Sequence, residues 1–255
     1  MRGIRVRMLA AGSGDALLYL HGSGDLGLWT PALAGLAETH HVYRPDHPGF
    51  SGSADPDGID SVHDLAFFYL DLLDEIDAQQ VVLVGASLGG WIAADLATIE
   101  PRRVSHLVLV DAAGVRAEIP APDQFTLSPV ELADLLYHTE DLRSTAVQQA
   151  AGIEEDAERF TRYLRNRITT AHLGWNPYMH DPKLPDRLHR ISAPTLILWG
   201  AEDRLLPAGY ADRWAELLPK AEMAIIEDAG HLPLVEQPAA ALDVLRTFLG
   251  RGARP

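Results

Sequence analysis

Val81-Val82-Leu83-Val84-Gly85-Ala86-Ser87-Leu88-Gly89 is the stretch on which the reading of this chain turns. Four β-formers in a row, ending at a glycine, spell a strand buried on both faces, because a strand with one wet face alternates polar and apolar residues. Residues 88–98 are helical in character, and the run closes before Pro101. Ser87 therefore stands at a strand-to-helix turn inside a G-x-S-x-G pattern. A serine at such a turn sits in strained backbone with its hydroxyl raised above the sheet, and the flanking glycines remove side chains that would clash with strand and helix. The following helix aims the positive end of its dipole at the same point. The same pattern also fits a plain turn with a capping serine, so its meaning depends on what surrounds it.

Outward from this stretch, short apolar runs recur at residues 16–20, 104–110, 195–199 and 223–226, with a weaker strand candidate at 41–43. Between them lie helical patterns. Val62, Leu65, Phe68, Leu72, Leu73 and Ile76 repeat at helical spacing behind Ser61, a suitable N-cap with Asp64 three positions on. Residues 239–249 form an amphipathic closing helix. Strands alternating with helices predict an α/β fold with a mostly parallel central sheet flanked by helices. The middle breaks the rhythm. Residues 114–190 hold no good buried strand but show helical periodicity at 130–137 and 160–168, punctuated by prolines. They are expected to form a helical cap inserted into a core made of residues 1–113 and 191–255.

Composition narrows the function classes. The chain has 255 residues, 47% of them apolar, enough for a large core. A formal charge of -15 argues against a nucleic-acid partner, which would need a basic surface. Cysteine is absent, which excludes disulfides, a thiolate nucleophile and a Cys-based zinc site. No apolar stretch approaches the roughly 20 residues of a membrane span, and the N-terminal residues make a poor signal peptide. The expected setting is cytoplasmic, with a small-molecule substrate, no membrane partner, and a monomer or homodimer as the unit.

A serine hydroxyl is a weak nucleophile without a base. Of 11 histidines, His231 is set apart by its place in Asp228-Ala229-Gly230-His231-Leu232-Pro233, between the last strand and the last helix. His21 and His47, in glycine- and proline-rich loops, are expected to order those loops through ring hydrogen bonds. An acid must hold the imidazole tautomer. Asp203 follows a buried strand, where sites of open parallel sheets form. Asp111 also follows one and is its competitor, with Glu202 a weaker rival. The order Ser87, Asp203, His231 is a Ser–acid–His order known for sheets of this kind.

Almost the whole chain resembles the α/β-hydrolase superfamily. His21-Gly22-Ser23-Gly24 with Trp29 resembles its H-G-x oxyanion loop, and Pro45-Asp46-His47-Pro48-Gly49-Phe50 its P-D-x-P-G-x segment. Residues 200–207 (GAEDRLLP) resemble the G-x-x-D-x-x-x-P loop that bears the acid. Gly230-His231 through Glu236 and Pro238 resembles the G-H-x-P-x-x-E-x-P loop that bears the base. The resemblance selects Asp203 over Asp111. It implies an oxyanion hole from the backbone N–H groups of Ser23 and Leu88, while the Ser23 hydroxyl has direct substrate contact as an alternative role. Ala86 departs from the family, where His or Asn is frequent. The Ser nucleophile disfavours the Asp-dependent chemistry of haloalkane dehalogenases and epoxide hydrolases.

The chemistry expected is hydrolysis of a small to medium, mostly apolar carboxylic ester through an acyl-enzyme on Ser87, with no metal and no organic cofactor. Trp91, one turn past Ser87, and Trp175 in the cap are candidates for substrate binding, with core packing as the alternative. Carbon–carbon bond hydrolysis of the aromatic meta-cleavage type, lactonase or thioesterase activity, and a slow-turnover ligand receptor are the alternative functions.

Overall fold

The computed structural model describes residues 3–24 and 27–251. Seven strands form one sheet: β1 (Met8–Ala11), β2 (Asp15–Leu20), β3 (His40–Pro45), β4 (Val81–Ala86), β5 (Val104–Val110), β6 (Thr195–Gly200) and β7 (Glu222–Ile226). Their order across the sheet is β1-β3-β2-β4-β5-β6-β7. Only β1 runs antiparallel, against β3. Successive side chains of a strand point to opposite faces, and here both faces are apolar. Leu18, Leu20, Leu83, Leu107, Leu109, Ile197 and Trp199 face one layer of core. Leu17, Tyr19, Val82, Val84, Val108, Val110, Leu196 and Leu198 face the other.

The first layer is covered by α2 (Val62–Glu75), α3 (Leu88–Ile99) and α8 (Gly209–Leu217), the second by α1 (Pro31–Leu36) and α10 (Pro238–Gly250). Ser61 caps α2, its hydroxyl accepting from the Asp64 N–H, and Val62, Leu65, Phe68, Leu72 and Leu73 are buried. The 223–226 run differs from expectation. Met223 and Ile225 are 48% and 39% exposed, because β7 is the edge of the sheet.

Between β5 and β6 the chain leaves the sheet and forms α4 (Pro129–Leu136), α5 (Glu140–Ala151), α6 (Ala157–Gly174) and α7 (Leu184–Arg187). Its two ends meet: the Gly114 N–H donates to Met179 C=O at 3.0 Å, and the Asp181 N–H to Gly114 C=O at 3.1 Å. Helix α6 is tied to the loop after β3, with Asn166 Oδ1 accepting from the Ser51 N–H at 2.8 Å and Thr169 donating to Gly49 C=O at 2.9 Å. Among the described residues no helix is long and apolar enough to cross a membrane.

Candidate active site

Ser87 occupies the turn between β4 and α3 at φ +53°, ψ −118°, a conformation that costs a non-glycine residue energy and persists only where its surroundings enforce it. Two glycines let the turn close. A Cβ on Gly85 would lie 2.3 Å from Gly89 C=O, and one on Gly89 would lie 2.1 Å from Leu20 C=O. The end of β5 locks the turn, because the Ser87 N–H donates to Val110 C=O at 2.9 Å and Ser87 C=O accepts from the Ala113 N–H at 3.1 Å. The Ser87 side chain is 8% exposed. Its hydroxyl makes no hydrogen bond among the described residues.

Asp203 follows β6 and His231 follows β7, at the carboxyl ends of strands in the same parallel sheet as β4. Asp203 Oδ1 accepts from the N–H groups of Leu205 and Leu206, both at 2.8 Å, which fixes the carboxylate. Its Oδ2 lies 2.7 Å from His231 Nδ1. A carboxylate only accepts, so the proton of the neutral ring is on Nδ1 and Nε2 carries the lone pair. Nε2 has no protein partner among the described residues. The His231 N–H donates to Leu136 C=O at 2.9 Å, so the His231 loop rests against the end of α4.

The loop after β2 reaches Ser87. A Cβ on Gly22 would stand 3.2 Å from Ser87 Cβ and 3.8 Å from Oγ. Next to it lies a buried histidine pair whose tautomers are set by their partners. The His47 N–H donates to His21 Nε2 at 2.9 Å, so His21 carries its proton on Nδ1 and donates to Gly22 C=O at 2.7 Å. His47 Nε2 donates to His21 C=O at 2.8 Å, and its Nδ1 accepts a short hydrogen bond from the Tyr69 hydroxyl. The two rings stack at 3.7 Å between centroids. Burial, reinforced by the Arg44 guanidinium, pushes the His21 imidazole down to about 3, so it is neutral at ordinary pH. This pair orders the loop as expected, and its effect is directional. In a trans peptide the N–H points opposite the C=O, so holding Gly22 C=O sets the direction of the Ser23 N–H. The N–H groups of Ser23 and Leu88 have no protein acceptor among the described residues.

A cavity of about 40 Å³ lies between this loop and the inserted helices, lined by Ser23, Phe125, Leu132, Tyr163, Arg167 and Thr170. The Ser23 hydroxyl donates to Gln124 Oε1 at 3.4 Å, joining the loop to the insertion. Neither tryptophan expected to bind substrate lines this cavity. Trp91 is buried against Gly114 and Gly174 in the core beneath the insertion. Trp175 is 62% exposed and stacks on Phe125, with centroids 5.4 Å apart. The direction in which each helix turns its face comes from tertiary packing. Tyr163, Arg167 and Thr170, three to four residues apart on α6, were missed, although the helical period around them was visible.

Among the described residues two groups of side chains have metal-ligand chemistry. Asp111, Asp203 and His231 each offer one atom within 4.8 Å of the others, and Asp203 Oδ2 and His231 Nδ1 are hydrogen-bonded to each other. His138, Glu202 and Asp228 form a solvent-open group in which Glu202 accepts from the Ala229 N–H at 3.1 Å.

Residues 17–244 match the family described as the alpha/beta hydrolase family. An uncharacterized protein of Mycobacterium tuberculosis is 30% identical over 272 residues, covering 98% of this chain and 79% of its own length. A pimeloyl-[acyl-carrier protein] methyl ester esterase of Nitrosomonas europaea is 28% identical over 250 residues, covering 91% of this chain and 95% of its own. Among solved structures, the 2-hydroxy-6-oxo-6-phenylhexa-2,4-dienoate hydrolase of Rhodococcus sp. strain RHA1 superposes with a TM-score of 0.80 at 21% identity, over 97% of this chain and 95% of its own.

Proposed function

Because the chain belongs to the alpha/beta hydrolase family, we propose that it is a serine hydrolase acting on a small to medium, mostly apolar carboxylic ester. The observation that carries this reading is the pairing of Asp203 with His231 Nδ1 at 2.7 Å, which leaves Nε2 basic on the same sheet edge as the strained Ser87. In the proposed cycle His231 Nε2 takes the Ser87 proton as Oγ attacks the ester carbonyl carbon. The negative oxygen of the tetrahedral intermediate is held by the N–H groups of Ser23 and Leu88, each such donor being worth about 3 kcal/mol in barrier height. His231 then protonates the departing alkoxide. Water, deprotonated by the same nitrogen, attacks the acyl-Ser87 ester and releases the acid. No step calls for a metal or an organic cofactor.

Residues 114–190 serve in this scheme as a cap that supplies the acyl pocket. Phe125, Leu132 and Tyr163 give it an apolar wall, and Gln124 and Thr170 a few polar contacts. At about 40 Å³ the cavity holds little more than water, so substrate entry requires the cap helices to shift.

The test is a chain-length series of p-nitrophenyl esters, from acetate to a long acyl chain, on wild type and Ser87→Ala, with fluorophosphonate labelling read by intact mass. Turnover that peaks at one length and vanishes in Ser87→Ala supports the esterase reading. Labelled Ser87 with slow ester turnover would move the substrate to ring-cleavage diketones or lactones. Turnover that survives Ser87→Ala would remove the nucleophile assigned here.

A further inference from the structure

The proposed cycle uses Asp203 and not Asp111 as its acid, yet Asp111 is buried beside that residue. It ends β5, is 1% exposed, and has φ +42°, a conformation that few non-glycine residues adopt. Its N–H donates to Leu198 C=O at 3.0 Å, and its Oδ1 accepts from the Gly200 N–H at 2.9 Å. Its other oxygen, Oδ2, is fully buried and has no N–H or O–H donor among the described residues. Nearby, Asp203 and His231 each bring a ligand atom within 4.8 Å of the Asp111 carboxyl and of one another.

An ionised Asp111 would place a second bare carboxylate against Asp203 in a site shielded from water. The groups facing it are Asp203 from the loop after β6, His231 from the loop after β7, and Glu236 from the short helix α9 (Pro233–Glu236). None of them is a fixed cation. Burial, with the Asp203 charge next and Glu236 adding to it, holds the Asp111 carboxyl protonated well above the usual carboxylate range. Oδ1 is occupied as an acceptor, so Oδ2 is left to carry the proton, and the acceptor beside it is the Asp203 carboxylate. Two carboxyl groups in contact are a repulsion when both are ionised and a strong hydrogen bond when one proton lies between them.

We propose that Asp111 is a positioning residue: a neutral carboxylic acid whose Oδ2–H donates to the Asp203 carboxylate and thereby tunes the Asp203–His231 pair. The inference rests on the reading of that pair as acid and base. With the bond to Asp111, the Asp203 carboxylate accepts from four donors: the Leu205 and Leu206 N–H groups, His231 Nδ1–H, and Asp111. The extra donor spreads the charge of Asp203, keeps the shared proton on the imidazole, and moderates the basicity of Nε2.

The experiment compares Asp111→Asn and Asp111→Leu with wild type, using the full chain. Asparagine can repeat the pattern, with Oδ1 accepting from Gly200 and Nδ2–H donating to Asp203; leucine cannot donate. Asp111→Leu is expected to lower kcat about tenfold at unchanged KM. It should also move the acid limb of kcat/KM to higher pH, because an Asp203 with one donor fewer favours the imidazolium. Asp111→Asn is expected to recover most of that kcat and return the acid limb to its wild-type position. An acid limb that stays in place in Asp111→Leu, or an asparagine variant as impaired as the leucine one, overturns the proposal.

A second readout needs no activity. The folded state holds the Asp111 proton more tightly than the unfolded state, so the Asp111 contribution to stability is present at low pH and is lost as pH rises above about 4. Asparagine lacks that proton, so the Tm difference between Asp111→Asn and wild type is expected to grow from pH 4 to pH 8. A flat difference overturns the proposal even if the leucine variant fails to fold. If wild type neither hydrolyses esters nor labels at Ser87, the functional reading fails, and the Tm comparison still decides whether Asp111 is neutral.

Discussion

Replacing Glu236 with glutamine should loosen the loop of His231, the proposed base, and the inserted helices together, because one carboxylate holds both. Glu236 is 7% exposed, and its Oε1 accepts from the Gly230 N–H at 2.8 Å, one residue before His231. Its Oε2 accepts from the N–H groups of His138 and Thr139, at 2.7 and 2.8 Å, at the corner between α4 and α5. Glutamine keeps the shape but has a single acceptor oxygen. If that oxygen serves His138 and Thr139, its NH₂ confronts the Gly230 N–H, donor against donor. One charge-assisted bond is then lost and one buried donor is left unpaired, each a matter of about 1–3 kcal/mol, for an expected total of roughly 2–6 kcal/mol. For a chain of this size that is a Tm fall of about 4–24 °C, at roughly 2–4 °C per kcal/mol. A base loop displaced by a fraction of an ångström should also lower kcat about tenfold, since a 1 Å misplacement costs on the order of 10²-fold. Calorimetric melting and ester kinetics on the same preparation measure both. A Tm within 2 °C of wild type with full kcat would show that these three hydrogen bonds neither anchor the cap nor hold His231, and the reasoning would fall.

Three further outcomes can be checked with the same tools. Ser87→Ala should lose roughly 10⁴-fold or more of ester turnover while melting close to wild type, and a folded variant with substantial turnover would refute the nucleophile assignment. Tyr69→Phe removes the donor to His47 Nδ1 within the histidine pair that holds the Gly22–Ser23 peptide. It should lower kcat and weaken binding of a boronic acid transition-state analogue in parallel, roughly tenfold, with little change in KM; unchanged analogue affinity would break the link to the proposed oxyanion donors. His21 is held neutral by a fall from 6.5 to about 3, so its contribution to stability is present above pH 6.5 and is lost as pH falls from 6.5 toward 3. The loss is up to about 1.4 kcal/mol per pH unit. Urea unfolding of wild type and His21→Gln at pH 7, 5.5 and 4.5 should show a shallower slope for the variant, and equal slopes would contradict it.

What could be read from the chain follows from where backbone geometry, rather than packing, makes the choice. Strands β4 and β5 are legible because an interior parallel strand is apolar on both faces and leaves an unbroken run such as Val81–Val84. Strand β1 escaped because Met8–Ala11 sits at the sheet edge, largely exposed, and is a strand only through its pairing with β3. Helix α5 escaped for a related reason. Its EDLRSTAVQQAA has no fully buried residue, so no apolar stripe marks its period.

The same distinction separates the candidate catalytic groups from the pocket. Ser87, Asp203 and His231 each sit where a strand of the parallel sheet gives way to a loop. Their approximate places follow once the strands are found, and the glycines at 85 and 89 are demanded by contacts of 2.1–2.3 Å that no Cβ could survive. Pocket residues obey no such rule. Trp91 and Tyr163 are both aromatic residues on helices, yet one is turned into the core and the other toward Ser23 by the way α3 and α6 pack. Asp111 and Asp203 make the point most sharply. Both are aspartates one to three residues past a buried parallel strand, and sequence position alone left them as rivals for one role. The structure separates them by their hydrogen-bond partners: two backbone N–H groups and an imidazole hold the Asp203 carboxylate, while Asp111 receives a single N–H on Oδ1. An ionised carboxylate needs several donors when buried, whereas a protonated one needs an acceptor. Counting donors therefore assigns the charge to Asp203 and the proton to Asp111, and neither count could be made before the loops were in place.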